Sequence, residues 1–188
     1  MSSLTPLAPS SPQRERRPSS PWQQALQYAV RDLGELAELL ELPRETLLGG
    51  ADAGADFPLL VPRGFVARMR KSDPADPLLL QVLPRAEELA SATGYDDDPL
   101  EEAALARAGL LQKYPGRALI VTTGACPVHC RYCFRRAFPY AELGAGSSDH
   151  ERIAASLAAA PGLSEVILSG GDPLTLSNAR LAGLIARI

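Results

Sequence analysis

Apolar residues recur at helical spacing over the first ordered stretch: Trp22, Leu26, Ala29, Leu33, Leu36 and Leu40 fall on one stripe, as on a helix facing a core. Ser20, Pro21 and Gln23 supply an N-cap, a first-turn proline and a capping-box partner. Trp22 reads as a packing anchor. From Leu42 to Tyr114 short apolar runs alternate with prolines. Pro62 and Pro77 mark helix starts and Pro84 a stop. Phe65, Val66 and Met69 form one apolar face, and Leu79, Val82 and Leu83 another. The acidic run from Asp96 to Glu102 suits a helix N-terminus, where carboxylates oppose the macrodipole.

At Arg117 the period changes. Arg117-Ala-Leu-Ile-Val-Thr-Thr123 is a short apolar, β-branched run, the pattern of a buried strand. Ser148-Asp149-His150-Glu151 predicts a capping box, with Ile153, Ala154 and Leu157 on the helix face behind it and Pro161-Gly162 at its end. Glu165 to Leu168 predicts a second strand, running into Ser169-Gly170-Gly171-Asp172-Pro173; Leu181, Leu184, Ile185 and Ile188 then space a last helix. Strand–loop–helix repeated twice is the order of a parallel α/β architecture, in which chemistry sits in loops at the carboxyl ends of strands. The expected class is α/β. A disordered tail (1–20) precedes a helical N-terminal region (21–115), and 116–188 forms the first two strand–helix units of a partial TIM-like (β/α) barrel. A complete barrel takes ~250 residues, so the chain reads as an N-terminal fragment, inactive alone and prone to associate through its open sheet edge.

Composition removes several function classes. A net charge of −3 lacks the basic footprint of nucleic-acid binding, and no apolar run approaches the ~20 residues of a membrane span. The Ser-, Pro- and Arg-rich opening has no apolar core and is not a secretory signal. Clustered, reduced cysteines fit a cytoplasmic location.

All three cysteines lie in Cys126-Pro-Val-His-Cys130-Arg-Tyr-Cys133. Ordinary electron-transfer clusters use four cysteines; three thiolates can hold a cubane while one iron stays open for chemistry. The competing reading is zinc, which takes four tetrahedral ligands, with His129 as the fourth and the protein a zinc-stabilised, non-catalytic module. A disulfide framework does not suit three closely spaced cysteines. Arg131 and Arg136 read as solvated or paired with acidic neighbours, and Phe134, Phe138 and Tyr140 as cover for the cluster or as core.

The C-x3-C-x2-C loop after one strand and the Gly-Gly-Asp loop after the next resemble the radical S-adenosylmethionine (SAM) superfamily. Lys113-Tyr-Pro-Gly-Arg117, Cys130-Arg-Tyr-Cys-Phe-Arg-Arg136, Ser169-Gly-Gly-Asp-Pro-Leu174 and Asp73-Pro-Ala-Asp-Pro-Leu78 are similar to the lysine 2,3-aminomutase family. Cys133-Phe-Arg-Arg-Ala-Phe-Pro-Tyr140 leans toward its elongation factor P (R)-β-lysylation branch. The resemblance implies a [4Fe-4S] cluster on Cys126, Cys130 and Cys133, and SAM contacts from Gly170, Gly171 and Asp172. It also implies a contact of Arg135 with the carboxylate of a lysine substrate, and Lys113 and Arg117 near the phosphate of pyridoxal phosphate (PLP). The implied reaction moves the amino group of L-lysine from C2 to C3, giving β-lysine for elongation factor P. An electron donor such as flavodoxin or ferredoxin would serve it. The chain departs from the pattern in one respect. Its only lysines are Lys71 and Lys113, neither in the Gly-rich loop where the family places the PLP Schiff base, and no catalytic residue is assigned here. A radical SAM enzyme of another substrate is the remaining alternative.

Overall fold

The computed structural model describes residues 20–90, 92–96, 98–102, 110–141, 150–160 and 162–188. Residues 1–19 of the expected tail (1–20), the capping-box residues Ser148 and Asp149, Pro161 and residues 103–109 lie outside the described residues. Two assemblies meet at the cysteine loop: an N-terminal helical layer and a three-stranded sheet.

The helical layer holds α1 (Pro21–Gln27), α2 (Leu33–Leu40), α3 (Arg44–Leu48), α4 (Ala51–Asp56) and α5 (Arg63–Val66), followed by 3-10 turns Leu79–Gln81 and Ala86–Leu89. The long apolar stripe is not one helix. It breaks after Gln27, Val30 forms an antiparallel bridge with Val61, and Asp32 restarts the helix by accepting the Glu35 N–H at 2.9 Å. The same 3–4 spacing runs through both helices, so periodicity alone hides the break. Trp22 accordingly is 42% exposed, not a core anchor, while Leu36 and Leu40 are fully buried. Val30, Leu36, Leu40, Leu47, Val61, Leu79 and Val82 form the core of this layer, and Val128 of the cysteine loop packs against it. Burying each such aliphatic side chain stabilises by about 1.5–3 kcal/mol.

Asp76 organises the stretch before the 3-10 turns. It is 3% exposed and accepts from the N–H groups of Arg70, Leu78 and Leu79 (3.1, 2.9 and 3.0 Å) and from Arg70 Nε (3.2 Å). Asp76, rather than Pro77, therefore sets this turn.

The sheet has the order β1 (Leu110–Tyr114), β2 (Arg117–Thr123), β3 (Glu165–Gly170). β2 spans the strand expected from the sequence; β1 was not anticipated and begins upstream of the expected barrel start at 116. It pairs antiparallel with β2 through the Pro115-Gly116 turn, and Gly116 takes φ 76°, the conformation glycine favours there. β2 and β3 run parallel. The observed class is α/β with a small mixed sheet. Its outer face packs Ile120, Val166 and Leu168 against α6 (His150–Ala158) and α7 (Asn178–Ile185) through Ile153, Leu157 and Leu184. Its inner face carries Leu111, Leu119 and Val121 under Phe138 and Tyr140, with Ile167 exposed. Among the described residues no helix is long and apolar enough to cross a membrane.

Acid sensitivity follows from two carboxylates. Burial would raise the Asp76 carboxyl, but N–H donors from Leu79 and Arg70 outweigh it and hold it below its ordinary value. Glu88 is likewise lowered, burial being outweighed by Arg131 and Arg136. The unfolded chain therefore takes up protons first, so this stability is complete above the ordinary carboxylate range, about pH 4–4.5, and is lost as pH falls through the lower folded values. Thermal melts of D76N should show reduced stability at pH 7 and a smaller further loss below pH ~4 than the parent; an identical pH profile would contradict the assignment.

Candidate metal centre

The cysteine loop leaves the carboxyl end of β2 and has no regular structure of its own. Cys126, Cys130 and Cys133 are free thiols of intermediate exposure. Turn hydrogen bonds stitch the second half, Cys133 N–H to Cys130 O (3.1 Å) and Arg136 N–H to Cys133 O (3.2 Å). The thiols lie within electrostatic reach of each other. Burial first, then Cys133, Asp172 and Cys130, push the Cys126 thiol up to about 11. Bound metal would reverse that, since a coordinating thiol gives up its proton.

His129 points elsewhere. Its ring stacks on Phe57 at 4.8 Å, and Nδ1 lies 2.8 Å from Pro58 O, a contact that requires Nδ1 to carry the proton. Among the described residues no three Cys, His, Asp or Glu side chains gather as the ligands of one ion would. A cubane presents separate irons to separate thiolates, so three partly open thiols that interact electrostatically, with His129 turned away, suit a cluster better than a tetrahedral ion.

The structure brings the Gly-Gly-Asp loop against the first turn of the cysteine loop. Gly171 N–H donates to Thr123 O (2.6 Å) and Asp172 N–H to Ala125 O (2.8 Å). A Cβ on Gly170 would collide with Thr123 O, one on Gly171 with Ala125 O, and Gly170 has φ 123°. These glycines are required by backbone meeting backbone one residue before Cys126. The Asp172 carboxylate caps the following turn, accepting the Leu174 N–H at 2.9 Å.

Arg135 is buried on the inner side of the sheet. Its Nε and Nη2 grip Glu102 at 2.5 and 2.9 Å, and Nη1 donates to Ser169 Oγ (2.7 Å) and Gly170 O (3.3 Å). Glu102 and Ser169 were not singled out from sequence. Tyr140 sits beside this pair, its hydroxyl pushed up to about 12 by burial, with Arg135 pulling it down. Lys113 and Arg117 lie toward the opposite end of β2, ~20 Å along the strand from Thr123 by strand rise. Lys113 Nζ donates to Leu100 O (3.1 Å) and Arg117 pairs with Glu165. They nevertheless share with Glu102 a cavity of about 150 Å³ bounded by Leu119 and Ile167. The other lysine, Lys71, pairs with Glu41 in the helical layer (2.6 Å).

Residues 114–188 match the 4Fe-4S single cluster domain family. The chain is 45% identical over 168 residues to the L-lysine 2,3-aminomutase of Escherichia coli (strain K12), covering 89% of this chain and 49% of that protein. The chain belongs to the lysine 2,3-aminomutase family. The L-lysine 2,3-aminomutase of Haemophilus influenzae is 39% identical over 168 residues (89% of this chain, 50% of that protein), and that of Clostridium subterminale 31% over 175 residues (89% and 41%). The chain spans about half the length of the curated relatives it matches. In a lysine 2,3-aminomutase family member the donor set fits an iron–sulfur cluster: three free thiols, no converging fourth side chain among the described residues, and an adjoining backbone loop.

Two variants test this geometry. H129A should keep most of its iron after anaerobic reconstitution, while alanine at any one of the three cysteines removes most of it; iron loss in H129A would restore the zinc-type ligand set. G170A should destabilise by on the order of 1–3 kcal/mol from backbone strain plus the collision, measured by denaturant unfolding.

Proposed function

We propose that this chain is the cluster-bearing part of a radical SAM, PLP-dependent lysine 2,3-aminomutase that converts L-lysine to β-lysine. The observation that carries the reading is the joining of the three-cysteine loop to the Gly-Gly-Asp loop at the carboxyl ends of neighbouring parallel strands. When bound, the cluster with its open iron would supply the electron that cleaves SAM, and PLP would hold the migrating amino group.

The chain's own residues divide the work. Cys126, Cys130 and Cys133 would hold the cluster. Gly170, Gly171 and Asp172, whose loop meets the chain at Thr123 and Ala125 beside Cys126, would receive SAM's amino end. Arg135 meets the lysine carboxylate, for which its planar fork is suited. That fork already holds the Glu102 carboxylate, so an incoming carboxylate has to displace or share it. Lys113 and Arg117 on the same inner face serve the PLP phosphate; the Arg117–Glu165 pair is exposed, and such pairs exchange at little cost. Phe138 and Tyr140 exclude water from the inner side of the cysteine loop. The zinc-module alternative is weakened by the engagement of His129 with Phe57 and Pro58. The proposal extends to a cytoplasmic enzyme, a flavodoxin- or ferredoxin-type donor, and β-lysine destined for elongation factor P.

The reduced, anaerobically reconstituted protein should give an electron paramagnetic resonance signal that changes on adding SAM. A signal indifferent to SAM would remove the catalytic reading. The full-length enzyme should then convert L-lysine to β-lysine, and R135K should raise KM for lysine by at least tenfold. Turnover of another amino acid in place of lysine would support the alternative substrate.

A further inference from the structure

The cysteine loop is held from two sides. Its Cys126 end is bound to the sheet through Thr123, Ala125 and the Gly-Gly-Asp loop. The Cys130–Cys133 end is bound to the helical layer: His129 N–H donates to Leu60 O (3.0 Å) and Arg131 N–H to Gln81 O (2.8 Å). The side chains converge on one carboxylate. Arg131 Nε donates to Glu88 Oε1 (2.9 Å) and Nη2 to Glu88 Oε2 (2.5 Å), while Arg136 Nη1 reaches the same Oε2 at 2.7 Å. Arg131 spends its remaining donors on Phe57 O (2.5 Å) and Ala53 O (3.2 Å). Both guanidinium groups also lie over the Phe57 ring, at 5.1 and 5.4 Å. The Arg131 and Glu88 side chains are 6% and 15% exposed, so water screens this network poorly. Glu88 is itself fixed by the Arg85 N–H at 3.0 Å.

We infer that Glu88 is a positioning residue for the metal centre, locking the Cys130–Cys133 half of the loop and cancelling one of the two guanidinium charges beside it. The inference rests on the cluster reading of the three cysteines. Two consequences separate it from a plain structural contact. Loss of the lock lets Cys130 and Cys133 move while Cys126 stays fixed by the sheet. Loss of the charge leaves two cations next to a cluster that gains an electron on reduction, which favours the reduced form, because net charge and second-shell contacts tune the potential. Glu88 thus keeps the centre strongly reducing.

The test compares wild type, E88Q, E88D and, as a charge control, E87Q, since Glu87 is exposed and pairs only with Arg85 among the described residues. In the metal-free protein, Cys130 and Cys133 of E88Q should be alkylated several-fold faster than in wild type, with Cys126 unchanged and E88D restoring most of the protection. In anaerobically reconstituted protein, a redox titration followed by paramagnetic resonance should place the E88Q midpoint at more positive potential, with E87Q unmoved. If E88Q does not fold, R131K keeps the charge and loses the fork: it should speed alkylation while leaving the potential nearly unchanged. Wild-type alkylation rates together with a wild-type potential in E88Q overturn the inference. Failure of wild type to take up iron overturns the cluster reading and the charge effect with it, while the alkylation ratio separately decides the positioning.

Discussion

A single partly buried carboxylate, Glu88, faces two guanidinium groups, one of them buried, on a loop that has no helix or strand to hold its shape. A buried ion pair is weak evidence for stability, because desolvation can cancel the Coulomb gain; removing one partner, however, leaves an uncompensated charge and costs several kcal/mol. That asymmetry explains what such a pair does here. It does not hold the protein together, since Leu36, Leu40, Leu47 and Leu79 do that by burial. It penalises every arrangement of residues 130–136 except the one in which both arginines reach back to the Ala86–Leu89 turn. Backbone bonds from His129 and Arg131 to Leu60 and Gln81 align with it, so loop and helical layer agree on one register.

The other side of the loop is fixed by a different kind of force. Where β2 and β3 end, their backbones approach until no side chain fits between them, and Gly170 and Gly171 answer a steric demand. Arg135 extends this contact inward. Buried, it needs a counter-charge, and it takes Glu102 bidentately while tying down Ser169 and the Gly170 carbonyl. The inner face therefore holds a line of charge, Arg117 with Glu165 at one end and Arg135 with Glu102 at the other, with Leu119, Val121 and Ile167 between. An anionic or zwitterionic small molecule entering here meets preformed forks whose present partners are the protein's own carboxylates.

How much of this was legible in the sequence depended on how far apart the interacting residues lie along the chain. β2 could be read because Ala118 to Thr123 is a contiguous β-branched, apolar run, and the capping-box contact of the Gln23 side chain with the Ser20 N–H is settled within three residues. β1 was missed because Leu110-Leu-Gln-Lys-Tyr114 has no clean alternation, and its strand character comes from pairing with β2. The Trp22 stripe misled because two helices in series kept one phase. The cysteines and the Gly-Gly-Asp string carry a family signature in their spacing, so the family was visible. Their supports were not: Glu88 sits 43 residues from Arg131 and Glu102 33 from Arg135. The signal available was indirect. Two arginines flanking a cysteine loop need acidic partners if buried, and Glu88 already stood three residues after Arg85 as a capping-box acid.

The forces on the loop cut across the architectural boundary near residue 115. Cys126 follows backbone bonded to the sheet, Cys130 sits between two backbone bonds to the helical layer, and Cys133 lies between Arg131 on the helical layer and Arg135 on the sheet, so the triangle of sulfurs is as rigid as the contact between the two assemblies. A thiolate set built on one element would hold its shape through any movement of its surroundings. One suspended between two cannot: a change in how the helical layer sits on the sheet alters the distance from Cys126 to the other two thiols. Val128, packed into the helical core between the first and second cysteines, makes that coupling direct. On the proposed cluster reading, metal occupancy and the docking of the two assemblies are linked equilibria, each stabilising the other by the same free energy. The helical layer is accordingly part of what holds the three thiols in place.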